Sequence, residues 1–314
     1  MSIPSRIESA LVAAVGGAGD VRAAPPRLVA AVRHAVFPGG ARVRPQLCLA
    51  VAAACGDDAP ALADAGAAAI ELLHCASLVH DDLPCFDDAA LRRGRPSVHA
   101  QFGERLAVLA GDALIVLAFE TLARGAAAAG TAGVARLPAM TRVLAARVGL
   151  PFGIVAGQAW ECEDGVALPE YQRAKTGALF AAATELGALA CGGASERWRE
   201  FGEHLGEAYQ VADDIRDVAA DEQWLGKPVG RDGKLGRPNA VAAMGLSAAL
   251  AHFDNLVRRS AAAVPAGPGA QTLQQLLRAE AARLLPPGLA GTATRPRAKA
   301  MPAIAPALPA RNAA

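Results

Sequence analysis

Four aspartates that directly follow an apolar, helix-forming stretch restrict the fold of this chain more than any other feature of its sequence. The stretch ELLHCASLVH occupies residues 71–80, and the aspartates are Asp81, Asp82, Asp87 and Asp88. Carboxylates at the C-terminal end of a helix face the negative end of its dipole and also repel one another. The cluster therefore needs a cation, and its oxygen-only ligand set favours a hard ion such as Mg2+ over zinc.

The residues after this cluster favour an anionic ligand. Arg92, Arg93 and Arg95 follow within a few positions, and guanidinium groups can grip a diphosphate through paired hydrogen bonds. A single acidic motif is explained equally well by a solvated surface loop, so this cluster alone does not establish a metal site.

A second acidic cluster argues against the surface-loop interpretation. The sequence YQVADDIRD, at residues 209–217, carries Asp213, Asp214 and Asp217 in an otherwise apolar helical context. Asp213 and Asp217 are four residues apart and share one helix face. Two such clusters, each on a helix, could hold several Mg2+ ions between them, and a diphosphate is the natural bridging ligand.

Composition predicts an all-α protein. The chain has 314 residues, enough for one large domain or two smaller ones, and 53% of them are hydrophobic. Alanine and leucine dominate, aromatic residues make up only 4%, and no strand-like alternation is found. The net charge of +1 gives no basic footprint for nucleic acid.

The cysteines and the N-terminal sequence predict a cytoplasmic protein. The six cysteines form no CxxC pair and no metal-ligand spacing, so buried free thiols are expected, as in a reducing compartment. The N-terminus lacks a basic segment followed by an apolar core, so no signal peptide is expected. The most apolar stretch, residues 106–123, contains Asp112 and Glu120 and is predicted to be a buried core helix rather than a membrane span.

Seven ordered blocks of the sequence resemble those of the trans-prenyl diphosphate synthases (the polyprenyl synthetases), and within that family the bacterial geranylgeranyl diphosphate synthases. The blocks are, in chain order, GGARVRP at 39–45, DDLPCFDD at 81–88 followed by RRG, AGDAL at 110–114, GQ at 157–158, KTGALF at 175–180, DDIRD at 213–217 and GKPVGRD at 226–232. The likeness covers residues 30–285, and the seven blocks in family order make it specific.

The resemblance implies an isoprenoid-synthase helical bundle around a deep central cavity. Residues 1–285 would form the prenyltransferase domain, and the Pro- and Ala-rich residues 286–314 are expected to be a disordered tail. The implied activity is Mg2+-dependent condensation of isopentenyl diphosphate with allylic diphosphates, with geranylgeranyl diphosphate as the expected product, for isoprenoid biosynthesis of the carotenoid type. A homodimer and three Mg2+ ions bound together with diphosphate are also implied.

The resemblance also assigns roles to individual residues. Metal binding is expected of Asp81, Asp82, Asp87, Asp213 and Asp217. Catalytic roles are expected of Asp81, Asp82, Asp87, Lys175, Asp213 and Lys227. Substrate contacts are expected from Arg44, His74, Arg92, Arg93, Thr176 and Gln210. Product chain length is expected to depend on Ala76 and Ser77, about one turn before Asp81.

One block departs from the family pattern. The family sequence GGKRxRP, implied to bind isopentenyl diphosphate, has a lysine where this chain has Ala41. One charge-assisted contact to phosphate contributes on the order of 1.5–3 kcal/mol, so the missing lysine predicts a raised Michaelis constant for isopentenyl diphosphate. Alternatively, the neighbouring Arg42 compensates by turning toward the same phosphate.

Four other functional interpretations are considered beside the main one. The chain could be a farnesyl diphosphate synthase, or a weakly active or non-catalytic partner subunit, which the substitution at Ala41 keeps open. A terpene cyclase would carry Asn, Ser and Glu in place of DDIRD and would lack the two arginines after the first cluster. A plain helical scaffold would not need seven ordered polar blocks.

Helix-breaking residues divide the chain into predicted elements. Helices are expected at 3–15, 26–36, 45–55, 60–80, 100–123, 137–162, 168–190, 195–222, 239–263 and 269–285. A turn is expected at 125–133, and the glycine-rich basic residues 226–239 are expected to form a lid over the diphosphates.

Overall fold

The computed structural model describes residues 1–16, 23–37, 39–163, 165, 167–219 and 239–285. The helices of these ranges are α1 (Ile3–Gly16), α2 (Pro26–Val36), α3 (Val43–Ala54), α4 (Pro60–Asp81), α5 (Val98–Phe102), α6 (Glu104–Ala128), α7 (Gly130–Val148), α8 (Ile154–Ala159), α9 (Leu168–Gln172), α10 (Ala178–Ala190), α11 (Glu196–Ala219), α12 (Ala240–Met244), α13 (Leu246–Ala263) and α14 (Ala270–Leu284). Lys227, most of the predicted lid and the predicted tail lie outside the described residues.

The helices α4 and α10 form the centre of the bundle. Pro60 opens α4, where its fixed φ suits the first turn, and the alanine-rich sequence that follows has high helix propensity. The helix packs against α3, α6 and α10, and 12 of the 13 residues of α10 are buried. Small residues allow close approach: a Cβ at Gly125 of α6 would lie 2.2 Å from the Cβ of Ala65. The C-terminal end of α4, which carries Asp81, is therefore fixed by packing on several sides.

Two predicted boundaries in the middle of the chain are wrong. Residues 125–133 are helical apart from the junction of α6 and α7, where Gly130 has a φ of 67°. Alanine's helix propensity outweighs the turn preference of the scattered glycines there. The predicted helix 137–162 is interrupted after Val148, because Gly149, Pro151 and Gly153 break the helical pattern before α8 begins.

The predicted helix 168–190 contains a π-helical segment at Arg173–Gly177, between α9 and α10. Such single-turn π segments are rare and occur often at functional sites. This one carries Lys175 and Thr176, and the extra residue in the turn changes the directions in which they project. A conformational break of this kind has no sequence pattern that periodicity could reveal.

The first acidic cluster is followed by a small hairpin that was not predicted. Leu91–Arg92 pairs antiparallel with Arg95–Pro96, and the two residues between them have positive φ, 54° at Arg93 and 73° at Gly94. Two positive φ values are what a tight two-residue hairpin turn requires. Strands of two residues are too short to show alternation, but the all-α class holds for the rest of the described chain.

Among the described residues, α4 and α6 are long and apolar enough to span a membrane by length and composition. In α4, 78% of the apolar window is buried within the bundle. In α6 only 39% is buried, so the expectation of a buried core helix holds for one face of α6 alone. The other face exposes Val108, Leu109 and Val116.

Candidate active site

The first acidic motif folds back on the end of α4. The backbone N–H of Asp87 donates to the carbonyl of Asp81 at 2.9 Å, and that of Asp88 donates to the carbonyl of Leu83 at 3.1 Å. These bonds place the second aspartate pair beside the first. Asp81 and Asp87 are partly buried, whereas the Asp88 side chain points outward and is exposed. The turn therefore brings Asp81 and Asp87 to one end of the bundle.

Asp82 is held differently from the sequence-based expectation. Its carboxylate is 2% exposed and accepts hydrogen bonds from Arg92 Nε at 2.9 and 3.2 Å and from Arg92 Nη2. Burial raises the pKa of Asp82, and the Arg92 hydrogen bond opposes that effect. Metal binding by Asp82 and diphosphate binding by Arg92 stay predictions; in the structure these two side chains are paired with each other. Their ion pair fastens the hairpin to α4.

A group of cationic and imidazole side chains lies between α3, α4 and the hairpin. The guanidinium of Arg44 stacks on Phe180 at 4.7 Å from the ring centroid, and its Nε is buried without a hydrogen-bond partner in the described chain. Burial lowers the pKa of Arg44. Burial likewise lowers the pKa of His74 well below its usual value, and Arg44 and Arg93 lower it further. A cluster of positive charge with an unpartnered donor is suited to bind an anion.

The position of the Arg93 guanidinium explains why residue 40 is a glycine. A Cβ at Gly40 would lie 2.7 Å from the guanidinium carbon of Arg93, so a side chain would displace that group. Together with Arg44 and His74, these residues form what we call the α3–α4 cationic site.

Arg42 does not belong to this site. It has a φ of 52°, is buried, and donates to Glu71 at 2.8 Å, to Glu8 at 2.9 Å and to the carbonyl of Val36 at 2.9 Å. A Cβ at Gly39 would overlap its guanidinium, so the chain closes tightly around this group. The expectation that Arg42 turns to replace the missing lysine at Ala41 is therefore wrong, because its donors are already used inside the bundle.

Lys175 connects the π-helical segment to the first acidic motif. Its Nζ lies 3.8 Å from Asp81 Oδ1 and donates to Glu161. Glu161 also accepts a hydrogen bond from the Tyr171 hydroxyl at 2.6 Å. Sequence reasoning missed Glu161; its position shortly after the GQ block, in the acidic run WECED, was the signal that could have found it.

The second acidic motif lies on α11, and its three aspartates have different surroundings. Asp213 is 40% exposed and pairs with Arg216 at 3.0 Å, whereas Asp217 is buried. Asp214 is buried and accepts from Gln172 at 3.1 Å and from Gln210 at 2.9 Å. It also accepts the first backbone N–H of α12, that of Ala240, at 2.7 Å. Asp214 therefore anchors α12 to α11.

One hydrogen bond joins α11 to the π-helical segment. The hydroxyl of Thr176 donates to Gln210 Oε1 at 2.7 Å, and Gln210 lies one helical turn before Asp213. Since the adjacent Lys175 reaches Asp81, the π segment bridges the two acidic motifs. The structure thus brings five of the sequence-predicted site residues into one region: Asp81, Lys175, Thr176, Gln210 and Asp213.

The residues expected to set chain length lie on α4. Ala76 is 2% exposed and packed in the hydrophobic core, whereas Ser77 is partly exposed and donates to the carbonyl of His74 at 2.8 Å. Their effect on product length stays a prediction.

The donor set suits Mg2+ rather than a metal held by protein alone. No group of three or more His, Cys, Asp or Glu side chains in the described ranges is close enough to hold an ion by itself. Mg2+ commonly takes one or two carboxylates and completes its shell with water and substrate phosphate. The carboxylates of Asp81, Asp87 and Asp213, each on a side chain that is only partly buried, fit that requirement.

Comparison with known proteins decides the family. The polyprenyl synthetase family model matches residues 25–264. The chain belongs to the polyprenyl synthetase family. The resemblance inferred from the seven blocks is thereby confirmed.

Two bacterial geranylgeranyl diphosphate synthases are similar to this chain over nearly its whole length. The geranylgeranyl diphosphate synthase of Cereibacter sphaeroides is 50% identical over 91% of this chain and 98% of its own length. That of Rhodobacter capsulatus is 47% identical over 91% of this chain and 97% of its own length.

The solved structure of a geranyltransferase confirms the fold. The geranyltransferase of Helicobacter pylori, in complex with magnesium and isoprenyl diphosphate, has a TM-score of 0.75 and 30% identity, covering 88% of this chain and 95% of that chain. The all-α isoprenoid-synthase fold expected from the sequence is therefore confirmed.

Proposed function

We propose that this polyprenyl synthetase is a Mg2+-dependent prenyltransferase that makes geranylgeranyl diphosphate from isopentenyl diphosphate and allylic diphosphates. The names of the two bacterial relatives support the product class. The observation that carries the proposal is the π segment between the acidic motifs, with Lys175 beside Asp81 and Thr176 bonded to Gln210. This arrangement places cationic and hydroxyl donors between two sets of carboxylates, as a metal-bound diphosphate requires.

The allylic diphosphate would bind between the two acidic motifs. Asp81, Asp87, Asp213 and Asp217 would hold Mg2+, which when bound supplies positive charge against the leaving diphosphate. The substrate's carbon–oxygen bond breaks and leaves an allylic cation. The double bond of isopentenyl diphosphate then forms the new carbon–carbon bond, and a proton is lost, with the departing diphosphate as its acceptor. No nucleophilic side chain is required, and the reaction needs apolar surroundings that exclude water, which would quench the cation.

Isopentenyl diphosphate would occupy the α3–α4 cationic site. Arg44, His74 and Arg93 supply its donors, and Gly40 leaves room for the Arg93 guanidinium. Because His74 is held neutral, one ring nitrogen can donate to a phosphate oxygen without a protonation step. The side chain at Ala41 adds no donor to this site.

The enzyme is proposed to act as a homodimer, with a second copy packed on the exposed face of α6. Val108, Leu109 and Val116 are exposed on that face, with the exposed Asp112 among them, and large apolar side chains in water favour burial against a partner. A cytoplasmic location is proposed on the basis of the cysteines, all six of which are free thiols.

Product analysis tests the proposal directly. The protein is incubated with Mg2+, isopentenyl diphosphate and allylic primers of five, ten or fifteen carbons, and product length is measured by chromatography. A twenty-carbon product from every primer is expected. A fifteen-carbon end product would instead identify a farnesyl diphosphate synthase, and no turnover at any substrate level would favour a partner subunit.

A further inference from the structure

Glu161 is a carboxylate to which neither the sequence blocks nor the proposed function gives a role. It lies in the 3-10 turn Trp160–Cys162 and accepts hydrogen bonds from three side chains. Gln158 donates from Nε2 at 3.1 Å, Tyr171 from its hydroxyl at 2.6 Å, and Lys175 from Nζ. Three donors fix the position of this carboxylate.

The backbone around Lys175 is fixed as tightly as its side chain. A Cβ at Gly157 of α8 would lie 2.3 Å from the backbone nitrogen of Lys175 and 2.4 Å from its Cα. Only glycine permits this contact, so the GQ block rests directly on the π segment. Gly157 therefore places Glu161 and Lys175 within reach of each other.

Lys175 lies between two carboxylates with different tasks. Its Nζ contacts Glu161 and is 3.8 Å from Asp81 Oδ1, and each of these three side chains is partly buried. If Nζ moved onto Asp81, the ion pair would neutralise an oxygen that the proposed reaction assigns to Mg2+. A lysine that is bound to a metal ligand competes with the metal.

We propose that Glu161 is a positioning residue that takes the closer contact with the Lys175 ammonium, so that Nζ stays 3.8 Å from Asp81 and does not pair with it more closely. Lys175 then competes less with Mg2+ for Asp81, and its ammonium stays directed toward the diphosphate. This inference rests on the proposed function, since it takes Asp81 as a metal ligand. The proposed role belongs to the substrate-free protein. It predicts that loss of the Glu161 charge weakens Mg2+ binding only when Lys175 is present.

The test measures metal binding without turnover. The melting temperature is followed as Mg2+ is titrated at fixed inorganic pyrophosphate, because ligands that bind the folded state raise it. In Glu161→Gln, the Mg2+ concentration for half of the rise should increase about tenfold, the size expected for one charge-assisted contact. The control Glu163→Gln removes the same charge from an exposed position two residues away and should behave as the wild type.

The decisive comparison adds a second substitution. If Glu161 acts through Lys175, the double variant Glu161→Gln/Lys175→Gln should need the same Mg2+ concentration as Lys175→Gln alone. If Glu161→Gln raises the Mg2+ concentration for half of the rise by the same factor with Lys175 present and in the Lys175→Gln variant, Glu161 acts on the metal directly. That result overturns the proposal. An unchanged requirement in Glu161→Gln overturns it as well.

Two further measurements separate folding and function from the proposal. Glu161→Asp keeps the charge with a shorter reach and should need less Mg2+ than Glu161→Gln. If Glu161→Gln does not fold, Glu161→Ala removes the same charge, and an Mg2+ requirement in Glu161→Ala equal to that of Glu161→Asp overturns the proposal. If the wild type makes no prenyl product but the double-variant result holds, the proposed function fails and the positioning role stands. If the wild type is active and Glu161→Gln has normal Mg2+ dependence, only the positioning role fails.

Discussion

At the scale of single residues, the chain uses its arginines for distinct purposes that the sequence does not separate. Arg42 and Arg44 are two positions apart, yet the first is paired with Glu71 and Glu8. The second has a buried Nε for which the described residues offer no hydrogen-bond partner. Arg92 neutralises Asp82. The residue types were identified from the sequence, but which arginine pairs inside the protein depends on the tertiary contacts of Glu8 and Glu71, which no local pattern contains.

Substitution at Ala41 tests the α3–α4 cationic site. Ala41→Lys adds a charge-assisted donor at an exposed position and should lower the Michaelis constant for isopentenyl diphosphate about tenfold. The constant for the allylic substrate should change less than twofold. Steady-state kinetics with each substrate varied in turn provides the measurement, and an equal change in both constants would contradict the site assignment.

Arg42→Ala is the matching test of a structural role. It leaves Glu71 buried without its cation, so the free energy of unfolding should fall by about 3 kcal/mol or more. Urea denaturation measures the loss. A variant of wild-type stability with a strongly raised Michaelis constant for isopentenyl diphosphate would show instead that Arg42 serves the substrate.

The buried imidazole of His74 predicts a pH dependence of stability. Its pKa is lowered in the folded protein by burial and by neighbouring arginines, whereas the unfolded chain binds the proton near the usual value of 6.5. Below about pH 6.5 the unfolded state therefore binds more protons than the folded state. The free energy of unfolding is highest above that pH and decreases as the pH falls. Through His74, the free energy of unfolding changes by at most about 1.4 kcal/mol per pH unit.

Comparing wild type with His74→Asn isolates this effect. Urea denaturation at several pH values between 5 and 8 should show a steeper loss of stability below pH 6.5 in the wild type than in the variant. Parallel curves over the whole range would mean that the imidazole titrates alike in both states.

At the scale of elements, glycines and a π turn decide where functional groups lie. Most long helices were predicted within a few residues, because alanine-rich periodic stretches between breakers are strong local signals; α2 and α4 are examples. The π segment Arg173–Gly177 and the hairpin at Leu91–Pro96 were not predicted. Both depend on contacts made elsewhere: α8 packs on the π segment, and Arg92 of the hairpin pairs with Asp82 on α4.

Gly157→Ala tests the contact between α8 and the π segment. The added methyl would lie 2.3 Å from the Lys175 backbone, which cannot move away as a flexible side chain could. The free energy of unfolding should fall by about 1–3 kcal/mol, the range for overpacking, and the Michaelis constant for the allylic substrate should rise. Gly16→Ala is the control, because no atom lies within 4 Å of the added methyl and stability should not fall. Equal effects of the two substitutions would rule out a specific contact.

At the scale of the whole molecule, α6 has one face in the bundle and one face toward solvent. Val116, 67% exposed in the chain, lies on the outer face with Val108 and Leu109. Val116→Lys should convert the proposed dimer to a monomer with an unchanged circular dichroism spectrum, as measured by sedimentation velocity. Val12→Lys, on the exposed side of α1, is the control and should leave the dimer intact. A wild type that sediments as a monomer contradicts the proposed assembly.

The many alanines of the central helices reduce the side-chain entropy that is lost when those helices pack. Burying an alanine costs no rotamer entropy, whereas ordering a lysine or glutamate costs up to about 2 kcal/mol. In α10, buried alanines such as Ala181, Ala182 and Ala183 therefore form a rigid frame at little entropic cost. Long charged side chains such as Lys175 carry the larger ordering cost, and the hydrogen bond from Lys175 to Glu161 orders that side chain before substrate binds.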